Sequence, residues 1–412
     1  MVTVGQLRDV KPGVWVDAAR GWREFACQSA QASADIRSQV IAKVETEWKD
    51  SAGSDARTVL GDLANEYDSA SDLMNGVVMV LVGLGDAVEV AQQELSSALR
   101  LAEAHHLLVN DDGSTTPVDA GDKDAAEWKA KLDPVFRDAL RAATEADGIA
   151  AQEFHRLAGD VKITNPDDAL KEQTAAAQDE IAMIRDSLPR GQSPEAVRAW
   201  WNSLSDKEKT DLERAVPVEL AGLDGIPADV KKSLRGSGPL DRVALVQYAA
   251  GHWNDPSTDF KDKTPSNHEK DNCANYVSTS LAAAGMPENE SWTNKEVLRE
   301  LHNLITGDHD AATPSWGGAS ALHDYLLKDT FSEVVPRQDA RPGDVVFWSN
   351  DQDGIHHVAV VTSVTPDGDI HYSQHSEPAV NASMNGRARV SGGQPVTFVR
   401  VDPRPAYPPA QR

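Results

Sequence analysis

At 412 residues the chain is too long for one ordinary domain, and its formal net charge of −25 excludes binding nucleic acid by neutralising phosphates and disfavours docking on an anionic membrane. Two cysteines make neither a disulfide framework nor a zinc knuckle, and no cofactor motif is present. The amino terminus has no basic n-region followed by an apolar h-region, and the most apolar run, 77–84, is far below the roughly 20 residues of a membrane span. Export without a cleavable leader or a cytoplasmic location are the expected fates.

Residues 1–190 read as helix. Trp15, Ala19, Trp22, Ala26 and Ala30 recur at helical spacing, and the phase returns at Val40, Val44 and Trp48. Pro12 and Gly13 mark the start of this helix, and 49–54 break it. Cys27 lies in this helix and is expected to be a buried, inert thiol. A second long helix is predicted over about 56–106, with Gly83 and Gly85 as points where it could kink. A short polar link between two long helices gives an antiparallel hairpin. Residues 110–117 read as a loop, and helices are predicted over about 122–158 and 166–188.

Residues 191–239 read as a short helical connector. Ser193 caps a helix with Pro194 in its first turn and Trp200, Trp201 and Leu204 on one edge. Ser205 begins a second short helix, 220–227 is rich in turns, and Gly236-Ser237-Gly238-Pro239 is a flexible boundary.

The pattern changes after residue 240. A helix over Val243–Trp253 and a polar loop, 254–270, lead into Asp271-Asn272-Cys273-Ala274-Asn275-Tyr276-Val277-Ser278, whose apolar residues recur at helical spacing. A cysteine in the first turn of a helix meets outward backbone N–H groups and the positive end of the dipole, which favour its thiolate. Such a thiolate needs a base, normally histidine. A long polar insertion containing Trp292 and Trp316 follows, then a helix over 319–327. Strands are predicted at 345–348, 357–364, 370–375 and 396–401, giving an α+β domain over 240–403 with an antiparallel meander and a disordered tail, 404–412.

His357 opens the second of these strands and can act as the base. The return strand carries His371, Ser373, Gln374 and His375. Side chains alternate along a strand, so Gln374 shares a face with Tyr372, whereas His375 shares one with His371 and Ser373. Only one of these sets can point at His357. A zinc site built from His356, His357, His371 and His375 is the competing arrangement, but no cysteine pair or His-Glu-x-x-His helix accompanies it.

These motifs carry a resemblance. The helix ending Tyr248-Ala249-x-x-His252-Trp253, the Asn272–Ser278 segment with Gly285, Arg341-Pro342-Gly343-Asp344-Val345-Val346, His357–Thr362 and Tyr372–Ser376 resemble, in that order, the papain-like amidase family related to NlpC-type and CHAP cell-wall hydrolases. That family usually carries an aspartate where this chain has Asn272. The resemblance implies Cys273 as nucleophile and His357 as general base, with His356 the lesser choice. It implies His375 as third residue by the Ser-Gln-His pattern, or Gln374 by the CHAP-like register. The implied substrate is a peptide or peptidoglycan amide, with the Cys273 backbone N–H as an oxyanion donor and the Asn272 or Gln247 amide as a second one. The alternative is a non-catalytic papain-like binding module. The helical hairpin with Trp48 and Gly53 at its link resembles the WXG-type substrates of actinobacterial type VII secretion. That likeness implies a secretion component or helical partner bound through 1–190, and an exported effector or wall hydrolase as the whole.

Overall fold

The computed structural model describes residues 1–159, 165–255, 272–295, 312–386 and 394–404. The polar loop before Asn272, most of the insertion after Gly285 and most of the expected tail lie outside the described residues. The chain forms two compact units, one built mainly on residues 1–209 and the other mainly on 226–384 and 394–404, with 210–222 joining the second. The division therefore falls inside the block read as a connector.

The first unit is helical. Thr3 caps α1 (Val4–Asp9) in a reciprocal capping box with Gln6, an element absent from the sequence reading. α2 (Gly13–Asp35) passes through a π-helical turn, Ile36–Ile41, into α3 (Ala42–Glu47). Asp50 accepts from the Gly53 N–H and starts α4 (Ser51–Ala104), several residues earlier than expected. A Cβ on Gly53 would lie 2.0 Å from the Trp48 carbonyl oxygen, so glycine is needed where the chain reverses. α4 continues through Gly83 and Gly85. Gly83 provides close packing: a Cβ there would meet the Glu180 Cα at 2.8 Å.

α4 is long and apolar enough to cross a membrane by length and composition, but 72% of its most apolar window is buried. The short apolar run 77–84 understated this helix. It forms the centre of a core with α5 (Lys123–Gly159) and α6 (Pro166–Asp186), containing Val80, Leu84, Leu95, Phe136 and Met183. The segment read as a loop before α5 is a two-stranded hairpin, β1 (Leu107–Val109) and β2 (Thr115–Pro117). Ala19 and Ala26 are buried as expected, but Trp22 and Val40 are exposed. Cys27 is exposed as well, one residue and about 100° around the helix from buried Ala26. It is not the buried thiol expected.

Short helices follow: α7 (Pro194–Ser203), α8 (Asp206–Ala215), α9 (Pro217–Gly222) and α10 (Ala228–Arg235). Part of the segment read as turns is thus helical.

The second unit places α11 (Arg242–His252), α12 (Cys273–Ala283), α13 (Pro314–Gly317) and α14 (Ala319–Asp329) with a six-stranded antiparallel sheet. Its strands are β3 (Glu333–Val335), β4 (Val345–Asn350), β5 (Gly354–Val364), β6 (Ile370–Gln374), β7 (Ala379–Ser383) and β8 (Val396–Arg400), in the spatial order β3-β8-β4-β5-β6-β7. β4 to β7 are the expected meander with one strand more than was read, and β8 returns between β3 and β4. Two cores flank the sheet. One holds α11, α12 and α14 against Val345, Phe347, Val358 and Val360. The other gathers Val346, Trp348, Ala359, Val361, Tyr372 and Phe398. This division follows from the two-residue side-chain period of β4 and β5.

Candidate active site

α12 begins at Cys273. Asn272 is its N-cap residue by position, but its side chain does not cap the helix. The Asn272 Oδ1 accepts from the Asn275 Nδ2 at 2.9 Å, and Asn275 Oδ1 accepts from the buried Trp316 Nε1 at 2.7 Å. Ser278 Oγ receives the Trp292 Nε1 and donates to the Trp316 carbonyl. The two tryptophan rings lie 4.8 Å apart and tilted by 37°, so the insertion that contributes them buttresses the first two turns of α12. Neither was singled out from sequence as a support. The paired Asn272 and Asn275, three residues apart on one helix face, were the available signal.

Tyr276 is anchored by its hydroxyl, which donates to the Ala249 carbonyl at 2.6 Å. Burial holds this phenol far above its ordinary range, so it stays protonated and keeps α12 on α11. After α12 the chain turns at Gly285, whose φ of 98° and whose Cβ position, 2.7 Å from the Pro239 oxygen, admit no side chain. Cys273 itself is 3% exposed and shares its core with Val358 and Val360 of β5.

β5 begins at Gly354, three residues before the expected strand, so His357 does not open it but is its fourth residue, opposite Trp348 in the β4–β5 ladder, where a register shift accommodates one extra residue. The two rings lie 5.1 Å apart. His357 Nε2 is 2.8 Å from Gln374 Oε1. The Gln374 amide is oriented by its other end: its Nε2 donates to the Glu377 carbonyl at 2.7 Å. A carbonyl can only accept, so the amide presents its oxygen to the imidazole. An oxygen acceptor there requires the proton on His357 Nε2 and leaves the Nδ1 lone pair as the basic position of the neutral ring.

The structure thus brings His357 and Gln374 together. The β5–β6 register pairs Val360 with Ser373 and Val361 with Tyr372, which puts Gln374 on the Tyr372 side of β6. His375 takes a different place, with its ring 5.8 Å from that of Tyr276 and its Nε2 3.3 Å from the Asp255 carbonyl. His371 is buried with Nδ1 on the Asn381 carbonyl, and His356 meets Gln394. The histidines weighed as a zinc site therefore each engage a different partner. Among the described residues no group of histidine, cysteine and carboxylate side chains is arranged to hold a metal. Gln247, considered as an oxyanion donor, lies exposed on α11.

Residues 239–399 match the family model of the "Putative amidase domain". The second unit carries an amidase-like domain. The match begins just before α11 and ends at β8, so it takes in α12, the His357–Gln374 pair and the whole sheet. No curated protein and no solved structure matches the chain.

Proposed function

We propose that the chain is a cysteine-dependent amide hydrolase in which Cys273 is the nucleophile, His357 the general base and Gln374 the residue that orients the base. The reading rests chiefly on the hydrogen bond from His357 to an amide whose own direction is fixed by Glu377. Cys273 supplies the nucleophile by its place at the head of α12, which packs on β5. In the first step His357 Nδ1 takes the thiol proton and the Cys273 sulfur attacks the amide carbonyl carbon. The tetrahedral oxyanion sits at the helix N-terminus, where the Cys273 N–H and the dipole favour negative charge. His357 then gives its proton to the leaving amine, and a thioester remains. Water, deprotonated by the same nitrogen, cleaves the thioester and frees the acid and the thiol.

The amide substrate is a peptide or the peptide part of peptidoglycan. The helical unit is assigned to docking or export, through a helical partner or a leaderless secretion route, and the whole to an exported effector or wall hydrolase. One observation favours a binding module: Cys273 is almost wholly buried. The deciding experiment is digestion of purified sacculi and of a protein mixture by the full chain and by Cys273→Ala and His357→Ala, with mass spectrometry of the products. New carboxyl and amine termini that disappear in both variants support the hydrolase. Products unchanged in Cys273→Ala, or none from any protein, would sink it.

A further inference from the structure

A second feature of the amidase-like unit lies at the other end of β4. A cavity of about 550 Å³ opens there, lined by Arg242, Arg341 and Arg400, with Phe331 and Pro403 as an apolar wall. It is within the size range of small-molecule sites. Asp344, just before β4, is four residues from Trp348, the strand partner of His357, a separation of about 13 Å at roughly 3.3 Å per residue. The cavity is therefore distinct from the His357–Gln374 pair.

The charges around it do not balance internally. Arg400 is satisfied: its Nη2 is 3.2 Å from the buried Asp344 carboxylate and 2.6 Å from the Asp339 carbonyl. Arg404 is paired with Asp402. Arg242 donates through Nη2 to the Ser233 carbonyl, but its Nε and Nη1 are buried without a hydrogen-bond partner. Arg341 Nε is likewise without one, and lies 3.9 Å from the nearest Asp344 oxygen. Burial lowers the affinity of both guanidiniums for their protons, and Arg341, also facing Arg242 and Arg400, is brought down to about 10. Both remain cations at neutral pH. A chain with a net charge of −25 thus holds two cationic forks with unused donors beside one cavity. Unmade hydrogen bonds of buried charged donors are costly, and an oxoanion is the group that would complete them.

We propose that this cavity binds a small organic phosphate, with its phosphate oxygens accepting from Arg242 and Arg341 and its organic part resting against Phe331 and Pro403. A planar carboxylate matches one guanidinium fork, whereas a tetrahedral phosphate offers oxygens to two forks, one from the head of α11 and one from the turn before β4. Glu333 also lines the cavity and supplies the opposing charge that limits affinity.

Titration calorimetry of the full chain at constant ionic strength, with phenyl phosphate, inorganic phosphate and benzoate, tests this site. Saturable binding of phenyl phosphate is expected, several-fold tighter than either of the others. Arg242→Gln and Arg341→Gln should each weaken it by about tenfold, the loss of one charge-assisted contact. If either variant fails to fold by circular dichroism, Glu333→Gln decides, because removing this exposed negative charge should tighten binding about twofold or more. No saturable binding by the parent, unchanged affinity in folded arginine variants, or unchanged affinity in Glu333→Gln would overturn the proposal. Equal affinity for inorganic and phenyl phosphate would overturn the organic-phosphate assignment.

Discussion

Replacing Gln374 with alanine removes the oxygen that holds His357 Nε2 at 2.8 Å. In the proposed mechanism Cys273 passes its proton to His357, and that contact then becomes a hydrogen bond to an imidazolium, worth about 1.5–3 kcal/mol. His357 is only half-buried, which favours the lower part of the range, about 1.5–2 kcal/mol. At roughly 1.4 kcal/mol per decade, the thiolate–imidazolium population falls about 10- to 30-fold. The assay is the rate of Cys273 alkylation by iodoacetamide across pH, in a Cys27→Ser background because Cys27 is exposed and reacts in parallel. Gln374→Ala should label more slowly by that factor at neutral pH. Gln374→Glu should move the base-limited limb of the profile to higher pH, because a carboxylate favours the charged ring. His375→Ala removes a ring that packs by Tyr276 and should leave the midpoint of the profile in place. Gln374→Ala within twofold of its parent, together with a shifted midpoint in His375→Ala, would refute the reasoning and make His375 the orienting group.

Trp316→Phe deletes the donor to the buried Asn275 Oδ1 and should lower the stability of the second unit by about 1–3 kcal/mol, read by chemical denaturation; a change below 0.5 kcal/mol, roughly the floor for such a bond, would remove its role as a buttress of α12. Gly285→Ala forces a Cβ against the Pro239 oxygen at a φ of 98° and should cost about 1–3 kcal/mol or more, whereas an unchanged melting temperature would show that the turn can relax. In the helical unit, burial and the neighbouring Glu153 push the Asp179 carboxyl up to about 6 from its ordinary 3.8, and burial also raises Glu94 well above the carboxylate range. The folded state holds these protons more tightly than the unfolded one, so the Asp179 contribution is complete below about pH 4 and is lost as pH rises through 6, and the Glu94 contribution is lost in the same direction as pH rises. Thermal unfolding followed by far-ultraviolet circular dichroism should therefore give this unit a higher midpoint at pH 5.5 than at pH 7.5; the reverse order would contradict the sign.

Local pattern was enough to read the large helices, the Cys273 helix and the strand that carries His357, though not its start at Gly354, because helical spacing and β-branched runs act over a few residues. Which of Gln374 and His375 meets His357 was not readable. Both faces of β6 carry polar side chains, and the register shifts on β5 and β6 separate the paired positions from a simple count. β7 escaped notice because Ala379–Ser383 is short and mixed, with Asn381 at a positive φ. β1 and β2 were hidden by the turn residues between them. Cys27 was misjudged because two helix positions one residue apart face directions about 100° different, and the alanines beside it set the buried face. Trp292 and Trp316 sit in a stretch that is polar on average, and an average conceals two rings that meet only in three dimensions.

The place of β8 has a consequence for the order in which the molecule becomes functional. β3 pairs with β8, and β8 with β4, so residues 396–400 are the staple between the two strands that precede them by tens of positions. Until those residues have been synthesised, β4 and β3 present open edges and the core around Phe398 is unfilled. The nascent amidase-like unit therefore reaches translation of residue 400 without a finished sheet, and its chemistry is withheld during synthesis by topology alone. A premature stop before residue 396 would leave an aggregation-prone fragment in place of a weakened enzyme.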